Sequence, residues 1–189
     1  MPTNRAKKPE KPASARESKP VVERTTKFNP SAAVLADRHY SRRKVGSPQF
    51  MPPGQTIVLI LPGANAVFGW WRPHPTSGIR AMNNLDGWTC TIFRNESGIQ
   101  SSDLILDAEK VFAEEGYDIG PDGLLTYVFD KKIRSSNPGY CFQMAGWKKI
   151  GRSADDRKTL LQKSRTEVIS VALAQPVPNF HKEVTPMNT

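Results

Sequence analysis

Apolar residues recur along this chain with two periods, and the switches between them mark out the elements. Thr56-Ile-Val-Leu-Ile-Leu61 is apolar throughout, as a strand covered on both faces is. Val67-Phe-Gly-Trp-Trp-Arg72 reads as its antiparallel neighbour, joined through the turn Pro62-Gly63-Ala-Asn65. Trp88-Thr-Cys-Thr-Ile-Phe-Arg94 alternates as a third strand. A polar elbow, Asn95 to Ser102, follows. The period then changes, and Leu104, Ile105, Ala108, Val111 and Phe112 fall on one helical face. Leu124-Leu-Thr-Tyr-Val-Phe129 is a further strand, ending at Asp130. Asn137-Pro138-Gly139-Tyr140 has a capping residue followed by proline at the first helical position, and that short helix stops at Ala145-Gly146-Trp147. Asn29-Pro30-Ser31 opens a helix in the same way, running through Arg38.

The chain ends are read from the same contrast. Residues 1–27 are rich in Pro, Lys, Ser and Ala and poor in large apolar side chains, so a disordered basic tail over 1–28 is expected. Asp155 to Arg165 reads as a short helix or an ordered loop, and Thr166-Glu-Val-Ile-Ser-Val-Ala-Leu173 alternates as a final strand. The segment 175–189 carries three prolines and reads as a flexible tail, leaving 29–174 as the folded domain. The order is helix, three strands, helix, strand, helix and two strands. It predicts an α/β domain with a mixed, largely antiparallel sheet flanked by helices and one parallel crossover after Ser102.

Charge adds a partner class. Of the net +9, residues 1–27 contribute +5, from eight Lys/Arg against three Asp/Glu. A second basic cluster, Arg38, Arg42, Arg43 and Lys44, lies inside the predicted domain. Both suit a polyanion such as double-stranded DNA, because Lys and Arg release counterions from phosphates; a tail that only aids solubility is the other reading. The two cysteines, Cys90 and Cys141, sit among apolar neighbours and read as free buried thiols. No disulfide framework or cysteine zinc site is indicated, and no apolar run reaches the ~20 residues of a membrane helix. The expectation is a protein of the cytoplasm without a membrane partner, its oligomeric state open between monomer and homodimer.

Several polar residues fall where the pattern ends an element. His39 can titrate near neutrality or bind a metal, and the Tyr40 phenol can donate a proton or ligate iron; a surface position in a basic loop is the alternative. Arg94, at a strand end, can grip a phosphate or carboxylate, or pair with Glu96 or Asp103. Ser101 and Ser102 suit a helix cap, with one left to face a ligand. Asp130 can orient or deprotonate an amine or simply start a turn. Tyr140 can act as a general acid or fill core space, and Asn137 caps its helix. One of Trp70 and Trp71 should be buried and the other more exposed.

This order of elements resembles the GCN5-related acyltransferase (GNAT) superfamily over about residues 29 to 174. The segment from Asn137 to Gly151 is similar to that superfamily's C-terminal motif. Ordinary members carry Gln/Arg-x-x-Gly-x-Gly/Ala before the main helix to cradle the coenzyme A pyrophosphate. Here the place holds Arg94-Asn-Glu-Ser-Gly98-Ile-Gln-Ser-Ser102, with one glycine, which argues against ordinary acetyl-CoA use. A narrower resemblance is to the phage Mom-like DNA-modification family, through His39-Tyr40, Arg94, the serine at the main helix start, Asp130, and Tyr140 in Asn-Pro-Gly-Tyr. That resemblance implies conversion of adenine in DNA to an N6-carbamoylmethyl-type base that protects phage DNA from host restriction. It implies His39, Tyr40, Arg94, Asp130 and Tyr140 as catalytic residues, and Arg94, Asn95, Ser101, Ser102 and Asn137 as contacts to an acyl or aminoacyl donor. It also implies iron on His39 and Tyr40. The rivals are a coenzyme A-dependent N-acetyltransferase of the same superfamily and a non-catalytic DNA-binding protein on this scaffold.

Overall fold

The computed structural model describes residues 22–63 and 65–173. In chain order they form β1 (Glu23–Thr25), α1 (Pro30–Asp37), β2 (Gln55–Ile60), β3 (Ala66–Arg72), β4 (Trp88–Asn95), α2 (Ser101–Glu114), β5 (Leu124–Phe129), α3 (Tyr140–Met144), β6 (Lys148–Arg152), β7 (Lys158–Lys163) and α4 (Arg165–Leu173), with short 3-10 turns at Met82–Asn84 and Asp130–Lys132. The seven strands make one open sheet in the order β1-β2-β3-β4-β5-β7-β6. Every pairing is antiparallel except β4 with β5, the two strands joined through α2.

The strand alternation distributes side chains to two cores. Ile57, Leu59, Phe68 and Trp70 face the larger one, with Leu104, Ile105, Ala108 and Phe112 of α2. Val58 and Val67 face the smaller one, against Leu35 and Ala36 of α1 and the loop residues Phe50 and Met51. Because both faces are covered, β2 is apolar at successive positions. Beneath the sheet a buried ion pair ties three elements together. Lys163 Nζ of β7 lies 2.6 Å from Glu109 Oε2 of α2, off the angle of a hydrogen bond, and donates to Ala145 O behind α3. Trp147 Nε1 donates to Glu109 Oε1 at 2.6 Å.

Four expectations are corrected. Part of the basic tail is structured: β1 pairs with β2, Val22 is buried, and its N–H donates to Asp107 Oδ2 of α2. The segment 158–163 is a strand, β7, because it alone fills the place between β5 and β6. Residues 165–173 are a helix rather than a strand. Ser164 and Glu167 close a reciprocal capping box, the hydroxyl facing the Glu167 N–H and the carboxylate accepting from the Ser164 N–H. The short helix is capped at Gly139, φ 74°, so Asn137 and Pro138 precede it. Residues 1–21 and 175–189, the bulk of both predicted tails, lie outside the described residues. The helices α1 and α2 and the strands β2 to β5 stand within one or two residues of expectation, α1 with the Asn29 side chain accepting from the Ala32 N–H. Among the described residues no helix is long and apolar enough to cross a membrane.

The β4–β5 contact places the site. It runs only from Trp88↔Leu124 to Cys90↔Thr126, although β4 continues to Asn95 and β5 to Phe129. The pairing ends where β4 carries a bulge. Trp70 opposes Cys90 and Gly69 opposes Ile92, which leaves Thr91 as the extra residue. An inserted residue bends its strand and resets its alternation. Trp88 and Cys90 belong to the larger core, whereas Ile92 belongs to the smaller one. Past Thr91, β4 stays with β3 and parts from β5.

Candidate functional site

The opening between the parted strands is a cleft of about 380 Å3. Thr91 and Phe93 of β4 line one wall, and Tyr127 and Val128 of β5 the other. His39 and Tyr40 reach it from the end of α1, and Asn137, Tyr140 and Cys141 from the α3 region. The lining is predominantly apolar with a few polar groups, the usual composition of a small-molecule site.

His39 and Tyr40 form one unit at the base of this opening. Their rings lie 4.2 Å apart at 33°. The Ser41 N–H donates to His39 Nδ1, and Ser41 Oγ lies 2.7 Å from the same nitrogen. A ring nitrogen that accepts from a backbone amide carries no proton, so the neutral ring holds its proton on Nε2. Burial, with Arg94 nearby, pushes the His39 pKa down to about 4, so the ring is neutral at pH 7. The Tyr40 hydroxyl accepts from the Phe129 N–H at 3.4 Å, using an amide that β5 leaves unpaired where the strands diverge. Burial raises the Tyr40 pKa, so it remains a phenol and a proton donor. Tyr140, 56% exposed, stands on the rim and is open to a ligand.

Other predicted site residues are committed elsewhere. Arg94 donates from Nε to Glu96 Oε1 and from Nη1 to Arg38 O, while Arg38 grips the other side of Glu96. The two guanidinium groups hold the Glu96 carboxyl below its usual range. Asn95 folds the elbow upon itself: Nδ2 donates to Ile99 O and Ser101 Oγ, and Oδ1 accepts from Ser97 N–H and hydroxyl. Ser102 is buried. The side chains of Asn95 and Ser97 are thus committed within the loop, while the N–H groups of Gly98, Gln100, Ser101 and Ser102 have no acceptor among the described residues. The expected serine cap is replaced by the Asn95–Ser101 bond.

Asp130 is not among the residues lining the cleft that Tyr140 borders; it lines a neighbouring depression. Its Oδ1 accepts from the Thr159 N–H and hydroxyl, and Oδ2 pairs with Arg152 at 2.8 Å. Desolvation acts to raise its pKa, but these bonds outweigh it and hold the carboxyl low. A carboxylate so held is a weak base, and its work is to fasten β7 to the end of β5. Asn137 accepts from Lys149 Nζ and Gln143 Nε2 and does not cap α3. Trp70 is fully buried; Trp71 is partly exposed, donates to Pro53 O, and is absent from the cleft wall.

The basic cluster also divides. Arg42 is a structural residue: its side chain is 8% exposed, it pairs with Asp37, and it donates to Gln49 O and Ser47 O. Arg38 is held by Glu96. Arg43 and Lys44 are exposed and have no carboxylate partner among the described residues. For iron, His39 and Tyr40 supply two donors, with Nδ1 engaged by Ser41. No group of three or more His, Cys, Asp or Glu able to hold a metal occurs among the described residues. Tyr140 and Cys141, which line the same cleft, are further groups of ligand type.

Cleft residues missed from sequence include Thr91, Phe93, Ile133, Arg134 and Ser135. One signal was readable: residues 131–152 contain six Lys/Arg and no Asp or Glu, against a net +4 for everything after residue 27. No protein family, curated protein or solved structure matches this chain.

Proposed function

We propose that the chain is a DNA base-modifying enzyme on a GNAT-like frame, acting on adenine as Mom-like proteins do. The observation that carries this reading is the cleft itself. It opens where two parallel strands separate at a bulge, and three tyrosines, Tyr40, Tyr127 and Tyr140, and a neutral imidazole border it. The same separation is what the GNAT-like frame leads one to expect of its donor and acceptor site. An exocyclic amine within a base pair is out of reach of any such cleft, so the base has to leave the helix. His39, Tyr40 and Tyr140 give a flipped base aromatic faces to rest on. Tyr140, on the rim, is placed to exchange a proton with solvent, and the neutral His39 offers Nε2–H as a hydrogen-bond donor. The donor is an activated acyl or aminoacyl group. Acetyl-CoA is disfavoured because the elbow holds one glycine, Gly98, where ordinary members of the superfamily carry Gly-x-Gly/Ala. The chemistry proposed rests on protein groups.

The test is mass spectrometry of nucleosides from DNA of cells expressing the chain. The expected outcome is an adenine nucleoside of increased mass, together with resistance of that DNA to restriction enzymes. Unmodified adenine alongside well-expressed, folded protein would sink the reading. Acetylated protein or small amines in its place would favour the acetyltransferase, and salt-dependent DNA binding alone would favour the non-catalytic protein.

A further inference from the structure

The acid-free segment 131–152 wraps one side of the cleft. Lys131 and Lys132 lie in the turn that ends β5, and Arg134 lines the cleft. Lys148, Lys149 and Arg152 stand on β6, an edge strand whose residues are all exposed. Two of these six cations are paired, Lys148 with Glu167 and Arg152 with Asp130 and Asp156. Lys131, Lys132 and Arg134 have no carboxylate partner among the described residues, and Lys149 Nζ donates to the neutral Asn137 Oδ1 at 2.7 Å. Beside them lies a second depression of about 690 Å3, lined in part by Ser135, Ser136, Lys149 and Arg152. Asp130 also borders it, its charge answered by Arg152. Ser135 lines both hollows, so they meet at that residue.

We infer that Lys131, Lys132, Arg134 and Lys149 form the phosphate-binding track for double-stranded DNA, the backbone lying in the second depression while one base passes Ser135 into the cleft. This rests on the base-modifying reading above. One observation favours this face over the Arg38–Lys44 cluster: it has four cations without a carboxylate partner among the described residues, against two there, Arg43 and Lys44. Its free cations have no ion pair to break before they meet a phosphate, whereas Arg38 and Arg42 would each have to release a carboxylate. Its hydroxyls, Ser135 and Ser136, add the neutral contacts that set register on a backbone. It adjoins the cleft at Ser135, as a backbone must if its own nucleotide is to enter; the hollow beside Arg43 and Lys44 meets the cleft at Thr91.

The experiment measures binding of the full chain to a short DNA duplex across a salt series. The variants are Lys131→Gln/Lys132→Gln/Arg134→Gln and, as control, Arg43→Gln/Lys44→Gln. Each phosphate contact contributes about 0.9 to the slope of log affinity against log salt, so the triple variant should lose about 2 to 3 of that slope. Its affinity near physiological salt should fall at least about tenfold, and the control's by much less. All three triple-variant positions are exposed, so its melting temperature should match the parent's. A triple variant with the parent's slope, or a parent that does not bind duplex, overturns the track. A parent that modifies adenine beside a triple variant of unchanged slope overturns the track alone. A track that behaves as expected in a protein that leaves adenine unmodified stands, while the enzymatic reading falls.

Discussion

The two ends of the β4–β5 contact are made by the same pair of strands and put them to opposite uses. At the near end, Trp88 to Cys90 pairs with Leu124 to Thr126, and the backbone polar groups satisfy one another. Approach there is so close that Gly87, just before β4, has no room for a Cβ, which would sit 2.4 Å from Gly123 O. At the far end the strands share no hydrogen bonds, and the free Phe129 N–H is met by a tyrosine hydroxyl. The near end holds the fold together; the far end leaves donors and aromatic faces for something else. The extra residue Thr91 separates them, so a bulge in one strand converts a stable junction into a cleft.

The comparison breaks if stability does not reside at the near end and in the layer under it. Glu109→Ala should cost about 3–5 kcal/mol, since it leaves Lys163 charged and buried without its partner. Glu109→Leu with Lys163→Met should recover only part of that loss, because it removes the buried charge but leaves the Trp147 Nε1–H and Ala145 O without partners, at about 1–3 kcal/mol. Denaturant unfolding measures both, and equal losses in the single and double variants would place the cost in packing and the lost hydrogen bonds. Gly123→Ala should cost about 1–3 kcal/mol through its left-handed backbone, with further loss from the contact with Lys163 O. A Gly123→Ala protein as stable as the parent would mean that the β7–α4 junction can shift away from the start of β5.

The near end was easier to read from sequence than the far one. The apolar run of β2, its hairpin partner β3 and the alternation of β4 are enough to find three strands, and Asn29-Pro30 is enough to start α1. What alternation misses is decided by single side chains or by long-range pairing. Val-Ile-Ser-Val in α4 looks like strand, yet Ser164 and Glu167, three apart, carry the capping signature that starts a helix. Thr91 has no sequence mark of a bulge, because a bulge is defined by what β3 offers opposite it. His39, Tyr40 and Tyr140 were legible as residues that punctuate elements. That Asp130 turns toward Thr159 and away from the cleft was not, since β7 itself was unrecognised.

The far end should tolerate loss of its hydroxyls. Tyr140→Phe and Tyr40→Phe should both keep the parent's melting temperature within a few degrees, since the Tyr140 hydroxyl is on the rim and the Tyr40 bond is long at 3.4 Å. If Tyr140 handles a proton in the reaction, its loss should lower adenine modification by about 10²-fold or more. Asp130→Asn should do the reverse, loosening β7 and lowering stability while retaining modification per folded molecule. Modification abolished in a stable Asp130→Asn protein would return that carboxylate to the chemistry.

The smallest effect expected is the pH response of His39, and it belongs to the far end alone. The ring titrates near 6.5 when unfolded and at about 4 in the fold, where burial and Arg94 disfavour its charge. Between those values the unfolded chain binds more protons than the native one, so stability falls as pH drops from about 6.5 to about 4 and this contribution levels off below that. The depressed carboxyls, Glu96, Asp130 and Glu167 at about 2, lose their contributions mainly below the ordinary carboxylate range, lower than most of this window. His39→Gln keeps a polar side chain without the titration, so its melting temperature should vary less between pH 6.5 and pH 4.5 than the parent's. Following the His39 ring protons by NMR gives the midpoint directly. A midpoint near 6.5 would mean that solvent reaches the ring freely, and the far end would then be an open surface in place of a cleft that holds a neutral imidazole for a ligand.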